Sequence, residues 1–457
     1  MKKLPRRQFL KVLGASAASL PFVPVLYGGN KSKHPNRMLF MGCNHSTGVK
    51  DILAKRPNIV FIMVDDFGYE CIRSNGGTSY QTPAIDNLAE TGIRFEHCYA
   101  TPLCTPTRVQ LMTGQYNFRN YTEFGSLPPG QYTFGHLLQQ AGYKTCVVGK
   151  WQLTGKVEGT KQRGEGTLPE LAGFDEHCLW QVKVRGSRYW APVIRQNGVM
   201  RDDVQDRFGP DVFVDYIEDF IGRHRSEPFF VYYPMALTHD PFVPTPDRNP
   251  EEEEKNTKST ANFPAMVAYV DKLVQRIVDI LDKYGHRENT LIVFTGDNGT
   301  HKTIVSNLNG SEIQGAKGET KTAGTHVPLI ANWPGIIPAA QVNKDLIDFT
   351  DFFPTIADVA DTKLPDHITF DGRSFLPQLK GDSGNPRDWI FCHYNPRWGN
   401  RQQRRYVQNK KWKLYDDGRI YKISKDMDEA NPLTIESLND SDRLIIEQFQ
   451  QVLERME

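Results

Sequence analysis

Short continuous apolar runs punctuate the chain, and each ends beside polar or turn-forming residues. NIVFIMV, Asn58 to Val64, runs into Asp65-Asp66; YKTCVVGK ends at Lys150; PFFVYYPMALTHD ends at Asp240; NTLIVFTGDNG ends at Gly299; HVPLIANWPG ends at Gly335. Runs rich in β-branched and aromatic residues, without polar alternation, predict strands buried on both faces. Helical spacing fills the intervals. TPAIDNLAETG and TFGHLLQQAG each close on a glycine placed to cap a helix. In NFPAMVAYVDKLVQRIVDILDKYG, residues Met266, Val270, Leu273, Ile277, Ile280 and Tyr284 share one helical face before Gly285 stops it. Strand–helix alternation over about 300 residues predicts an α/β fold: a large mixed, mostly parallel sheet sandwiched by helices.

After about residue 365 the texture changes. DWIFCHY, RRYVQNKKWKLYDDGRIYKIS and the amphipathic SDRLIIEQFQQVLERM predict a small C-terminal antiparallel-sheet subdomain with a terminal helix, Asp417-Gly418 forming a hairpin turn. The chain therefore divides into residues 1–29, a linker at 30–56, a main domain at 57–364 and the subdomain at 365–457.

Composition narrows the class. A net charge of +1 gives no global field that would favour nucleic acid, and no apolar run past the N-terminus is long enough to span a membrane. The N-terminal MKKLPRRQFLKVLGASAASLPFVPVLYGG has a basic start and a weakly apolar stretch, and Arg6-Arg7 resembles a bacterial twin-arginine export signal. A basic amphipathic helix is the competing reading. The export signal implies the twin-arginine machinery as a partner, passage of a folded chain, and a periplasmic or secreted location. LFMGCN around Cys43 hints at lipid attachment, but the polar NKSKHPNR separates it from the apolar run and argues against it. Seven cysteines (Cys43, Cys71, Cys98, Cys104, Cys146, Cys178, Cys392) show no CxxC pairing, and their odd number leaves at least one unbridged. No connectivity follows from the spacing.

Ligands of such sheets gather at the C-terminal ends of strands, where Asp65-Asp66, Lys150, His239-Asp240 and Asp297-Asn298 fall. Asp65, Asp66, Asp297 and Asn298 offer only oxygen donors, the set suited to a hard cation such as Ca²⁺ or Mg²⁺. Taken singly, each pair reads equally well as a helix cap or a turn. In LCTPTRVQLMTG, Pro106 suits a first helical turn, so Cys104 stands at a helix N-terminus with Arg108 one turn along the same face. A buried structural cysteine is the alternative.

CTPTR matches the Cys-x-Pro-x-Arg signature of the formylglycine-dependent sulfatases of the alkaline phosphatase superfamily. NIVFIMVDDFGY, GKW, THDPF, TGDNG and GAKGETKTAGTHVPLIANWPG also resemble that family's motifs, in its order, from residue 57 to about 360. The resemblance implies that a maturase oxidises Cys104 to formylglycine, whose hydrated form attacks the sulfur of a sulfate ester. Its second hydroxyl then expels sulfate. It further implies that Asp65, Asp66, Asp297 and Asn298 hold a Ca²⁺ that also contacts residue 104, with Asp297 assisting deprotonation and Arg108 stabilising the hydrated aldehyde. Lys150 and Lys317 are implied to bind sulfate oxygens, and His239 with Lys317 to aid departure of the alcohol.

One departure stands out. The family pattern Gly-Lys-x-His reads GKWQL here, and Gln152 can hold a substrate hydrogen bond but cannot accept a proton. Either another group serves, His97 or His136, or elimination is slow, or turnover is lost. A smaller departure is Thr107 where Ser is common, a change that keeps the hydroxyl. The expected substrate is a sulfated carbohydrate or aryl sulfate. The alternatives are a phosphodiester or phosphonate ester hydrolase, or a binder of sulfated glycans impaired in turnover. LWQVKVRGSRYWAP, Leu179 to Pro192, interleaves Trp180, Tyr189 and Trp190 with Lys183, Arg185 and Arg188. It reads either as a loop that stacks a sugar or aryl group and attracts a polyanion, or as a packed excursion with a basic face.

Overall fold

The computed structural model describes residues 56–158 and 160–456. The segment read as an export signal, nearly all of the expected linker and Cys43 lie outside them. The strands are β1 Asn58–Val64, β2 Ile93–Tyr99, β3 Lys144–Lys150, β4 Glu176–Trp180, β5 Ile194–Gln196, β6 Val199–Met200, β7 Phe229–Pro234 and β8 Thr290–Gly296. They continue with β9 Val305–Leu308, β10 Ser311–Gln314, β11 His326–Asn332, β12 Gln341–Asp348, β13 Ile390–Tyr394, β14 Arg404–Gln408, β15 Lys413–Tyr415 and β16 Ile420–Tyr421. Ten of them form one sheet in the order β12-β2-β11-β8-β1-β7-β3-β4-β5-β6.

Every residue of β1 is buried, which explains its unbroken apolar run. Val60, Ile62 and Val64 join a core with Phe213 and Ile217 of helix Gly209–Arg223 and with Val270 and Leu273 of helix Phe263–Lys283. Ile59, Phe61 and Met63 face the other way, toward Val109, Phe134 and Phe352. The sheet is therefore covered on both faces. β1 pairs in parallel with β7 and β8, and β3 with β7 and β4. The register sets Val64 opposite Gly296, so Asp65 and Asp297 follow at the same level.

Three details differ from the sequence reading. The run expected to end at Asp240 leaves the sheet at Pro234; beyond it the chain returns through Leu237 and Thr238, which exchange backbone hydrogen bonds with Asp65. β11 lies antiparallel to both β8 and β2, because an apolar run carries no mark of direction. Gly92 is not a left-handed cap: helix Pro83–Glu90 stops at Thr91, and a Cβ at Gly92 would lie 2.4 Å from the Ala331 carbonyl oxygen. Close packing on β11 requires that glycine, whereas Gly142 and Gly285 do take positive φ of 83° and 70° after their helices.

The four-stranded antiparallel sheet β13-β14-β15-β16 and helix Asp440–Arg455 form the C-terminal part. Gly418 makes the turn between β15 and β16 with φ 86°. Ile446, Phe449 and Val452 pack on Phe391, Val407 and Leu414. Phe375 and Leu379 join the core of the large sheet, and Leu103 joins Tyr394, Tyr406 and Tyr415 in a cluster on the small one. All six described cysteines are buried and unpaired. No helix among the described residues is long and apolar enough to cross a membrane.

Candidate active site

The C-terminal ends of β1, β7, β3 and β8, adjacent in the sheet, converge with the helix that begins at Cys104. Leu103 is extended and Cys104 opens helix Cys104–Thr113, with Pro106 in the first turn where a missing N–H costs nothing. The Thr107 hydroxyl anchors the turn, bonding to the Thr101 hydroxyl at 2.7 Å and accepting from the Thr101 N–H at 3.1 Å. Cys104 is 1% exposed, and burial pushes its thiol pKa up.

Asp65, Asp66, Asp297 and Asn298 are all buried. Potential ligand atoms of Asp65, Cys104 and Asp297 lie within 4.8 Å of one another, as do those of Asp65, Asp66 and His239. Asp66 adopts φ 60°, which an aspartate tolerates, and its backbone N–H donates to Asp297 Oδ1 at 3.1 Å. Asn298 donates to Asp66 Oδ1 at 2.9 Å. Two buried oxygens, Asp65 Oδ1 and Asn298 Oδ1, have no hydrogen-bond partner.

Burial, reinforced by the Asp65 charge, pushes the Asp297 carboxyl well up. Burial acts on Asp65 in the same sense, but Lys150, His239, Lys317 and Arg188 hold it well below the usual carboxylate range. Three converging carboxylates, with a carboxylate oxygen and an amide oxygen left unpartnered, make a site that added positive charge would stabilise. An oxygen donor set of this kind fits a hard cation such as Ca²⁺.

The expected basic residues surround this cluster. Lys150 Nζ donates to Asp65 Oδ2 at 2.6 Å, and Lys317 Nζ to Asp66 Oδ2 at 2.5 Å. Burial would lower the Lys317 pKa, yet Asp66 and Asp65 raise it to about 12. Arg108 is wholly buried and donates to the Lys150 carbonyl, while its Nε and Nη1 have no partner. His239 bonds to the Asp240 carbonyl through Nδ1 at 2.6 Å, and its Nε2 lies 4.0 Å from Asp66 Oδ2. A cavity of about 620 Å³ opens above, lined by Cys104, Gln152, His239 and Lys317 among others. Lys150 does not line it; its ammonium lies beneath, against Asp65.

Residues 57–362 match the family model described as Sulfatase, and residues 321–456 match N-sulphoglucosamine sulphohydrolase, C-terminal. The chain belongs to the sulfatase family. An N-acetylgalactosamine-6-sulfatase of Mus musculus is 30% identical over 360 residues, 71% of this chain and 66% of that relative's length. An N-acetylglucosamine-6-O-sulfatase of Bacteroides thetaiotaomicron is 25% identical over 74% of both chains. Among solved structures, a sulfatase from Pseudoalteromonas sp. has a TM-score of 0.69 at 23% identity, covering 89% of this chain and 92% of that one. A structure in complex with its substrate D-glucosamine-2-N,6-O-disulfate has a TM-score of 0.70 at 22% identity, covering 88% and 97%.

Several expectations for this sulfatase-family chain are corrected. His97 and His136 do not line the cavity. On β2, His97 stacks with Tyr99 and with His326 of β11, and His136 closes a capping box with Thr133. The histidine that joins His239 at the cavity is His301, four residues past Asp297; its Nδ1 bonds to Thr303. Trp180, Tyr189 and Trp190 are 1%, 2% and 8% exposed, too enclosed to stack a ligand. Trp180 instead supports Arg188, whose guanidinium carbon lies 4.0 Å from the ring centre. The basic half of that loop does reach the cavity, through Arg185 and Arg188. Aromatic lining comes from Phe124 and Trp398, which no sequence pattern marked.

Proposed function

We propose that the protein hydrolyses a sulfate ester of a saccharide. The observation that carries this reading is the convergence of Cys104, Asp65 and Asp297 at a helix N-terminus, directly below a cavity edged by His239 and Lys317. Membership of the sulfatase family supports the reaction class. The relatives named N-acetylgalactosamine-6-sulfatase and N-acetylglucosamine-6-O-sulfatase, and the neighbour bound to D-glucosamine-2-N,6-O-disulfate, support a sugar as the alcohol.

Asp65, Asp66, Asp297 and Asn298 would hold a Ca²⁺, which would supply charge stabilisation to sulfate oxygens. Position 104, as formylglycine in its hydrated form, would supply the attacking oxygen and a second hydroxyl for sulfate release. The chain's own groups do the rest. The partnerless nitrogens of Arg108 serve an oxyanion at position 104. Lys317, held charged by Asp66, orients sulfate and with His239 protonates the departing alcohol oxygen. Lys150 fixes the Asp65 carboxylate and offsets part of the cluster's negative charge. Gln152 offers a hydrogen bond beside position 104 and takes no proton. The Arg6-Arg7 segment supports a periplasmic site of action.

The test is hydrolysis of 4-nitrophenyl sulfate against bis(4-nitrophenyl) phosphate and a phenylphosphonate ester, with intact mass of the peptide containing residue 104. Faster turnover of the sulfate and loss of the thiol sulfur are expected. A larger rate on either phosphorus ester, or active protein with an intact thiol, would overturn the reading.

A further inference from the structure

The cavity extends well beyond what one sulfate group needs. Its outer wall is built by residues distant in sequence from the cluster at Cys104. Phe124 and Trp398 stack at 4.8 Å between ring centres, 24° apart, and both line the cavity while remaining half-buried. Half-buried stacked aromatics at a cavity mouth present an apolar face suited to the C–H face of a sugar ring. Trp398, Asn400 and Arg401 come from the loop joining β13 to β14, so the small sheet completes a cavity whose floor belongs to the large one.

The charges at the mouth are unbalanced. Arg185, Lys302 and Arg401 line the cavity, are exposed, and have no ion-pair partner among the described residues. The carboxylates at the same mouth are engaged: Asp240 lies 3.0 Å from His239, and Glu319 lies 3.3 Å from Lys321. Arg401 also has a defined place. Its guanidinium crosses the face of Gly318, where a Cβ would come within 2.9 Å of Nε, so the glycine lets it lie against the backbone next to Lys317. A second cavity of about 360 Å³ begins on its far side and shares Gly318, Glu319 and Arg401 with the first. Arg401 therefore lies against the residue that follows Lys317 and lines both cavities.

We infer that Phe124, Trp398 and Arg401 form a subsite for a second anionic group, so that the preferred substrate is a saccharide carrying a further sulfate or a carboxylate besides the sulfate that is cleaved. The ring lies on the open outer face of the Trp398–Phe124 stack. The second anion meets Arg401, whose planar fork suits a bidentate oxyanion. Arg185 and Lys302 add long-range attraction. The inference rests on the sulfate-ester reading of the same site.

The experiment uses the Cys104→Ala variant, which binds without turnover, and calorimetric titration with two matched pairs of probes. Glucosamine 6-sulfate is compared with glucosamine 2-N,6-O-disulfate, and N-acetylgalactosamine 6-sulfate with the unsaturated chondroitin 6-sulfate disaccharide, which adds a carboxylate. In at least one pair the doubly charged probe is expected to bind about tenfold tighter, the scale of one charge-assisted bidentate contact. Arg401→Gln should cut that advantage below about twofold, while Trp398→Ala weakens both members of the pair alike. Raising the salt from 50 to 500 mM should shrink the advantage as well. Equal affinities within both pairs, no binding by any probe, or an advantage that survives Arg401→Gln overturns the subsite. Failure of the wild-type protein to hydrolyse 4-nitrophenyl sulfate would sink the ester-hydrolase reading separately and leave the binding result standing.

Discussion

Cys104 Sγ stands 3.9 Å from the side-chain oxygen of Gln152, and Gln152 is held there in a left-handed backbone conformation with φ 47°. An amide so placed can orient a hydroxyl at position 104 but cannot relieve it of a proton. Gln152→His is therefore expected to add an ionisation near pH 6.5 to the pH–rate profile, with the rate rising as the imidazole becomes neutral, and to raise turnover about tenfold. Profiles of wild type and variant on 4-nitrophenyl sulfate check this. Superimposable curves would remove residue 152 from the proton-transfer step.

The acidic cluster predicts metal dependence. Chelation should reduce hydrolysis by about a hundredfold, with recovery on adding Ca²⁺. Added Ca²⁺ should also raise the melting temperature of the wild type by a few degrees, as any ligand held only by the folded chain would. Asp297→Asn should lose both responses. Calorimetry in the presence and absence of Ca²⁺ reads the second response without any substrate.

The loop that carries Lys317 is clamped from the C-terminal sheet. Tyr394 donates to the Gly318 carbonyl at 3.0 Å; the Tyr415 hydroxyl bonds Glu429 at 2.5 Å and Thr320 at 2.9 Å; Lys413 pairs with Glu429 at 2.8 Å and donates to the Thr320 carbonyl. Tyr415→Phe should cost about 1 kcal/mol of stability, and it should lower kcat more than it changes KM. Lys413→Met strands the buried Glu429 charge and should cost about 3–5 kcal/mol. Urea unfolding and steady-state kinetics separate the two effects. Unchanged kcat in Tyr415→Phe would mean that the clamp serves folding alone.

Acid stability has a traceable contributor on β4. Burial works to raise the Glu176 carboxyl, but hydrogen bonds from Arg223, His224 and Tyr216 pull its pKa down to about 2. A depressed folded-state value means the contribution is complete above about pH 4.5, the unfolded value, and is lost as pH falls toward 2. The group is partly exposed, so about 1 kcal/mol is expected after solvent screening. Glu176→Gln should flatten the urea-unfolding stability between pH 5 and 2 by that amount.

The parts of the site visible in the sequence are those set by short-range rules. Asp65-Asp66 and Asp297-Asn298 follow unbroken apolar strands, and Pro106 marks the helix start at Cys104. β2 and β12 escaped notice because IRFEHCY and QVNKDLID mix charge into half-exposed strands, near and at the edge of the sheet. Phe124, Trp398, Arg401 and His301 left no pattern because loops carry no periodicity, and only the packing of two sheets brings them together. For Trp180, Tyr189 and Trp190 the sequence left two readings open, and the packed one holds. Their interleaving with basic residues looks like a binding surface, but the rings are what hold the loop in place.

Leu103, which precedes the cysteine at the centre of the site, is covered by Tyr394, Tyr406 and Tyr415, all synthesised long after it. A chain still emerging from the ribosome would leave the thiol open until the small sheet closed over its neighbour. If a protein-sized agent alters that sulfur, it would have to act in this interval, and the last strands would then serve as the clock that ends it.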